Sequence, residues 1–222
     1  MRMLDLFCGR WGWSKAFTER GWECVGVDLV EPPEIPEGCE FMKQDILQIT
    51  ADSPFMHWDD GTKYFDFICA SSPCEQFSVH GMKHFHPNPK YPELGIKLFN
   101  HTRSLCEASG VPYVMENVRA AQEFVGRAVN HCGPFFLWGS AVPPLMPQGV
   151  KKGNTFRGAP GNYMKFCPPG MDKKTWRNAY QKDVEKRAGG RRHTPAFAAT
   201  IPPLLAAAVA DYATRLYKSR VA

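Results

Sequence analysis

Three stretches of this chain carry side chains whose types and spacing could do chemistry. In Ser71-Ser72-Pro73-Cys74-Glu75-Gln76-Phe77-Ser78 a thiol sits in a polar turn directly after an apolar run. A thiol held in such a turn can ionise, and only the thiolate is a good nucleophile. A lone loop cysteine is usually inert, so the second stretch matters: Val114-Met115-Glu116-Asn117-Val118 delivers a carboxylate from the end of another apolar run. If both runs are strands of one parallel sheet, their ends open on the same edge, and Cys74 and Glu116 can meet in one pocket. The third stretch, Asp5-Leu6-Phe7-Cys8-Gly9-Arg10-Trp11-Gly12-Trp13, reads as a strand running into a Gly-bearing turn that opens a helix. Glycines such as Gly9 and Gly12 let backbone amides approach a ligand, and a helix start favours an anionic group. Asp28 closes the next strand-like run, where a carboxylate can accept from both hydroxyls of a ribose; a loop-capping role is its structural alternative. Asp45 could accept from an adenine amino group, with the same alternative.

These residues need elements to hold them. Met3 to Phe7 predicts a first strand, Ser14 to Arg20 a short helix stopped by Gly21, and Glu23 to Asp28 a second strand. After a Pro-rich loop, Phe41 to Ile46 predicts a third strand and Tyr64 to Ala70 a fourth. Leu94 to Ser109 has helical spacing, closed by Gly110 before a strand from Pro112 to Met115. Phe135 to Trp138 predicts one more strand, Asp172 to Arg187 a charged helix, and Ile201 to Tyr217 a helix opened by Pro202 and Pro203. The alternation argues for an α/β fold with a mostly parallel sheet and flanking helices. From Pro143 to Pro169 the chain is dense in Pro, Gly and Lys with no sustained period, which predicts an irregular insertion.

With 222 residues and 44% hydrophobic content, one core of good size is expected. No apolar run approaches the roughly 20 residues that span a bilayer, and no leader precedes the first strand, so a soluble cytoplasmic protein is expected. The eight cysteines form no C-x-x-C pair and read as reduced thiols. His80, His84 and His86 match no standard zinc spacing, and no metal is expected. The net charge of +5 is concentrated: between Gly149 and His193 twelve lysines and arginines face only Asp172, Asp183 and Glu185. Such a segment is either a solvated surface or a phosphate-contacting one.

The residues quoted above also resemble a family. D-L-F-C-G, S-P-C-x-Q-F-S and E-N-V resemble, in order and spacing, the first, fourth and sixth signature motifs of cytosine-C5 DNA methyltransferases. A-T-I-P-P-L-L-A-A-A-V near the C-terminus resembles their tenth motif, which returns to pack beside the first. ENVRAAQ followed by HCGPFFLWG resembles short methylase-like proteins of bacteriophages. The resemblance implies a Rossmann-like class I methyltransferase that uses S-adenosyl-L-methionine. Residues 1–139 with 196–222 would form its catalytic domain, and 140–195 a reduced target-recognition insertion. It implies that Cys74 attacks C6 of a cytosine, that Glu116 protonates or hydrogen-bonds N3, that Pro73 shapes the catalytic loop and that Asn117 holds it. Phe7 would stack on the adenine of the cofactor, Asp28 would hold its ribose and Asp45 and Ile46 would sit at the adenine, with Asp5, Gly9 and Gly12 completing that site. The DNA partner would meet Gln76, Ser78, Arg119, Arg127, Lys151, Lys152, Arg191 and Arg192, while Phe156, Trp176 or Tyr180 could stack on a base. The target base would flip out or arrive single-stranded. No membrane and no obligatory protein partner are implied.

The chain departs from the family pattern at four points. Trp11, beside Arg10, replaces a glycine of the first motif, which predicts an altered cofactor loop. Ala199 replaces an asparagine of the tenth. His131 and Cys132 stand where an Arg-x-Arg pair is expected, and the short insertion predicts poor sequence selectivity. Cytosine in RNA or in a free nucleotide, and a non-catalytic nucleic-acid-binding relic, stay open as alternatives at this point.

Overall fold

The computed structural model describes residues 1–74, 76–77, 92–150 and 201–221. Met1–Lys151 and Ile201–Ala222 make up one compact unit, separate from Lys152–Thr200, which lies outside the described residues. The charged helix expected from Asp172 to Arg187 falls in that outside segment.

Among the described residues, seven strands form one sheet in the order β3-β2-β1-β4-β5-β7-β6. β1 (Arg2–Leu6), β2 (Glu23–Asp28), β3 (Cys39–Lys43), β4 (Phe67–Ser71) and β5 (Tyr113–Val118) run parallel. β6 (Asn130–Cys132) and β7 (Phe135–Trp138) continue the sheet antiparallel beyond β5. The chain moves outward from β1 to β2 and β3, then returns to place β4 on the other side of β1. That reversal puts the topological switch point between β1 and β4, where ligands of open α/β sheets bind outside the carboxyl ends of the strands.

Alternating side chains divide the sheet between two cores. Met3, Cys69 and Val114 face one side, covered by α1 (Ser14–Thr18) and α4 (Pro203–Val221) through Phe17, Leu205, Val209 and Ala213. Leu4, Leu6, Ile68 and Met115 face the other, covered by α2 (Glu93–Ser109) through Phe99, Leu105 and Cys106, with the short α3 (Gln122–Val125) beside it. Gly110 ends α2 in the left-handed conformation, φ 59°, the closing geometry glycine adopts without strain. The C-terminal helix is clamped onto the first: Arg20 Nε donates to Asp211 at 2.7 Å and the Trp22 indole N–H to Thr214 Oγ1 at 2.9 Å.

Several boundaries differ from the sequence expectation. β3 stops at Lys43 rather than Ile46, because Asp45 leaves the strand to cap a 3₁₀ turn, Ile46–Gln48. β4 starts at Phe67 rather than Tyr64, since Tyr64 packs beside Trp58 and beneath the Arg2 guanidinium, 4.2 Å from its ring centre. β5 runs on to Val118, so Glu116 and Asn117 lie within the strand instead of beyond it. α1 ends at Thr18, α4 spans Pro203–Val221, and the edge strand β6 was not anticipated. Among the described residues, no helix is long and apolar enough to cross a membrane.

Candidate active site

The crevice at the switch point has two walls. The first is the turn after β1. Phe7 adopts φ 62° and both it and Cys8 donate their backbone N–H to Val27 O, at 2.9 and 3.1 Å, so the chain stays hydrogen-bonded to β2 while it turns. Gly9 follows at φ 49° and donates its N–H to Asp28 Oδ2 at 3.1 Å. The other carboxylate oxygen of Asp28 accepts from Val30 N at 3.2 Å. Asp28 is half-buried, and each of its oxygens keeps a lone-pair direction beyond these backbone bonds. The capping and ligand-holding readings of Asp28 are therefore compatible. Gly12 lies against Ile201, where a Cβ would come within 3.0 Å of both the Ile201 Cβ and N atoms. The segment expected to return beside the first motif does so, and at Gly12 the approach requires the absence of a side chain.

Asp5 is 1% exposed. Its Oδ2 accepts from Ser14 Oγ at 2.6 Å and from Ser14 N at 3.3 Å, joining β1 to the start of α1. Burial, partly opposed by those bonds, pushes its carboxyl up to about 7. Asp45 caps the 3₁₀ turn through Leu47 N at 3.0 Å, and Ile46 is 2% exposed in the α2-side core. Residues that the sequence did not flag are Leu29 and Val30, which follow Asp28 directly, and Ile35 further along the same loop, all three exposed. Large apolar side chains left in solvent beside a ligand-type carboxylate were the available signal.

The second wall follows β4. Ser71 pairs in register with Glu116 of β5, and Ser71 Oγ accepts from the Trp13 indole N–H at 2.9 Å. Asn117, fully buried, donates Nδ2 to both the carbonyl oxygen and the Oγ of Ser72, each at 3.0 Å. Pro73 is exposed and Cys74 half-buried. The chain then turns, Phe77 N donating to Cys74 O at 3.1 Å, and Phe77 buries its ring beside Phe124, centroids 6.0 Å apart. Gln76 Oε1 accepts from Gly95 N at 2.8 Å, satisfying a first-turn amide of α2. Gln76 thus has a structural task in addition to the expected nucleic-acid contact. Ser72 was missed by sequence reasoning, although a small polar residue held extended before proline is a recognisable anchor.

Glu116 is 8% exposed and stands opposite Ser71, the residue from which the loop to Cys74 departs. The structure thus brings Pro73, Cys74, Glu116 and Asn117 to one sheet edge, next to the edge that carries Phe7, Gly9, Gly12 and Asp28. Among the described cysteines, only Cys39 and Cys74 are partly exposed. Cys39 lies at the amino end of β3, away from this edge, and burial raises the thiols of Cys8, Cys69, Cys106 and Cys132. Arg119 and Arg127 are exposed just past β5. Ser78, Lys151, Lys152, Arg191, Arg192, Ala199, the three histidines after Cys74 and the aromatics Phe156, Trp176 and Tyr180 lie outside the described residues. Among the described residues no three His, Cys, Asp or Glu side chains converge as a metal site.

A mostly parallel sheet with this switch point, covered by helices on both faces and carrying a Gly turn followed by a strand-end acid, is a Rossmann-like α/β fold. Within that class the chain belongs to the C-5 cytosine-specific DNA methylase family, whose model matches residues 1–130. Such methylases transfer a methyl group from S-adenosyl-L-methionine to C5 of cytosine in DNA. No curated protein matches the chain. Solved structures similar to it include the 1,6-didemethyltoxoflavin-N1-methyltransferase of Burkholderia thailandensis, crystallised with S-adenosylhomocysteine. That pair shares 17% identity over 63% of this chain and 53% of that one, TM-score 0.31. The PH0226 protein of Pyrococcus horikoshii shares 20% over 59% and 56%, TM-score 0.31. A 16S rRNA (adenine(1408)-N(1))-methyltransferase of Catenulisporales acidiphilia shares 13% over 54% and 57%, TM-score 0.29. The chain spans about half the length of these solved structures.

Proposed function

We propose that this protein methylates C5 of cytosine in DNA through a covalent Cys74 adduct, with low sequence selectivity. The observation that carries the reading is the tie between the two strands. Asn117 of β5 holds Ser72, two residues before Cys74, while its neighbour Glu116 stands in register with Ser71. Nucleophile and acid are thereby mounted on one rigid frame, the arrangement a two-centre attack on a pyrimidine requires.

The Cys74 thiolate forms a bond to C6, and the electrons of the C5–C6 double bond move into the ring. Glu116 hydrogen-bonds N3 and offsets the charge that this attack develops. S-adenosyl-L-methionine, when bound, would supply the electrophilic methyl group that C5 receives, its S–CH3 bond breaking to leave S-adenosylhomocysteine. Loss of the C5 proton to solvent then restores the double bond and expels Cys74 as thiolate. Asn117 and Pro73 keep the Cys74 loop in place through these steps. The residues of this edge suit a nucleoside: Asp28 would accept from the ribose hydroxyls, the glycines of the first turn would allow close approach, and Phe7 would stack on the adenine. Asp5 acts beneath this site by fixing α1, while Asp45 and Ile46 shape its β3 side.

In this reading the basic segment, with Lys151, Lys152, Arg191 and Arg192, contacts phosphates, and Arg119, Arg127, Gln76 and Ser78 contact the DNA beside the target base. Its shortness favours poor selectivity. The twofold division into a catalytic part (1–139 with 196–222) and an inserted part (140–195) follows from this reading. A cytoplasmic setting, that of the host if the gene is viral, fits the free thiols of Cys8, Cys24, Cys39, Cys69, Cys106 and Cys132.

The test uses DNA that contains 5-fluorocytosine, whose C5–F bond cannot be lost, so the adduct with Cys74 accumulates. Incubation with the cofactor should yield a protein–DNA conjugate mapped to Cys74, and nucleosides from ordinary DNA should contain 5-methylcytosine. Absence of both products rejects the proposal, and label found only in RNA or nucleotide moves the acceptor.

A further inference from the structure

Trp11 stands in the turn that the proposed function assigns to the cofactor, and its conformation is unusual. It adopts φ 61°, a left-handed geometry that side chains other than glycine rarely take, while being only 2% exposed. Its bulk does not project over the sheet edge. The indole turns down onto β2, where its ring atoms and Cys8 Sγ leave no room for a Cβ at Gly26, and it meets the Phe41 ring of β3 edge-on, centroids 6.4 Å apart at 78°. The ring is thus spent on the interior, and any effect of Trp11 on the cofactor loop runs through its packing and its N–H rather than through bulk over the site.

The polar end of the indole reaches the neighbouring loop. Its N–H donates to Glu34 O at 2.9 Å. Glu34 lies midway along the connection from β2 to β3, which contains neither helix nor strand and includes Pro32, Pro33 and Pro36. Each proline removes a backbone donor, so the loop has few amides with which to fix itself. Asp28 stands where this loop begins, bonded on one side to Gly9, two residues before Trp11, and on the other to Val30. The two loops are therefore joined twice, once at Asp28 and once through Trp11.

We propose that Trp11 is a positioning residue for the cofactor: it locks the loop after β1 to the loop after β2 and so holds Asp28 and the exposed Leu29, Val30 and Ile35 ready for a nucleoside. The proposal rests on the reading of this edge as the S-adenosyl-L-methionine site. A residue that orders a loop in advance spares the ligand that ordering on binding. Removing the lock should weaken cofactor affinity without changing the chemical step.

The variant Trp11→Phe keeps most of the packing and deletes the N–H. Calorimetry with S-adenosylhomocysteine on the full chain should give a Kd raised about threefold to tenfold, the range expected when a single hydrogen bond is deleted. Methyl transfer at saturating cofactor should keep its kcat, so the loss appears in KM alone, and amide exchange should accelerate in residues 30–38 with the sheet unchanged. Gly26→Ala, which displaces the ring from β2, should reproduce the same pattern from the other side of the contact. If wild-type protein binds S-adenosylhomocysteine and Trp11→Phe binds it equally well, the lock is refuted while the cofactor reading stands. A uniform rise in exchange across the sheet, or a fall in kcat at saturation, likewise refutes it in favour of a general packing role. If wild-type protein binds none, the cofactor reading falls and takes the proposal with it.

Discussion

Asp5 lies sealed under the turn after β1, 1% exposed, and its carboxyl is pushed up to about 7 mainly by burial, with the Asp28 charge adding to the same direction. Ser14 opposes the shift by donating from its hydroxyl and its amide. Because the folded value exceeds the unfolded 3.8, the protonated form is the one that folding favours. The stability associated with Asp5 is full below about pH 4 and is lost as pH rises through 7, a change on the order of 4 kcal/mol. Urea unfolding of Asp5→Asn should show a flatter dependence between pH 5 and 8 than the wild-type protein. An equally steep slope in both would mean that another group sets it. Cys74 gives the second prediction at this scale. Cys74→Ser should lose at least about a thousandfold in turnover, because an alcohol is not ionised at neutral pH as a thiol partly is. Its affinity for S-adenosylhomocysteine should stay within about twofold, since Cys74 is on the β4 wall and the proposed cofactor residues on the β1 wall. Turnover at the wild-type rate would show that another residue is the nucleophile.

Between elements a tight fit is that of Gly12 against Ile201, which joins the turn after β1 to the start of α4. A Cβ at Gly12 would stand 3.0 Å from two Ile201 atoms, one of them backbone, so Gly12→Ala forces the helix entry outward. Overpacking of this kind destabilises by about 1–3 kcal/mol, and Ile201→Gly, which removes the Cβ of that contact, should relieve part of it in a double-mutant cycle read by chemical unfolding. Additive effects would show that the two residues do not meet. This packing was legible from sequence only as two motifs expected to lie side by side. The same holds more widely: β2 and β7 were found at their observed bounds because each is an apolar run bracketed by turn residues. β3 was misplaced by two residues at its start and three at its end because its outward positions, Glu40 and Lys43, break the apolar pattern, while Ile46 looked like its continuation although it belongs to the 3₁₀ turn. β6 was invisible, since three residues reading Asn-His-Cys have no periodicity of their own and are held by pairing with β7. At the site, Cys74, Glu116 and Asp28 were legible as chemistry at strand ends. Ser72, Ser14 and the inward turn of Trp11 were not, because each is defined by a partner distant in sequence that only the folded chain supplies.

For the molecule as a whole, charge and core are carried by different parts of the chain. The unit formed by Met1–Lys151 and Ile201–Ala222 contains both core clusters, and Val150 and Ile201, which flank the remaining segment, are buried in the same one. Twelve of the 27 lysines and arginines lie between residues 149 and 193, against three acidic residues, so this stretch holds a net +9 while the entire chain holds +5. The rest of the protein is consequently net negative, at −4, and has little long-range attraction for a polyanion. Replacing residues 152–195 by a short Gly/Ser linker should therefore separate the two tasks. The shortened protein should fold cooperatively and bind S-adenosylhomocysteine within about threefold of the full chain, because Phe7, Gly9, Gly12 and Asp28 all lie in the part retained. DNA affinity should fall by at least about a hundredfold at low salt, and the slope of log K against log salt should flatten, since every phosphate that the protein ceases to neutralise takes away close to one unit of counterion release. The full chain should show the steep slope with little change between DNA sequences. A shortened protein with an unaltered salt slope would mean that phosphates are met by the catalytic unit, with Arg119 and Arg127 as the residues to replace next.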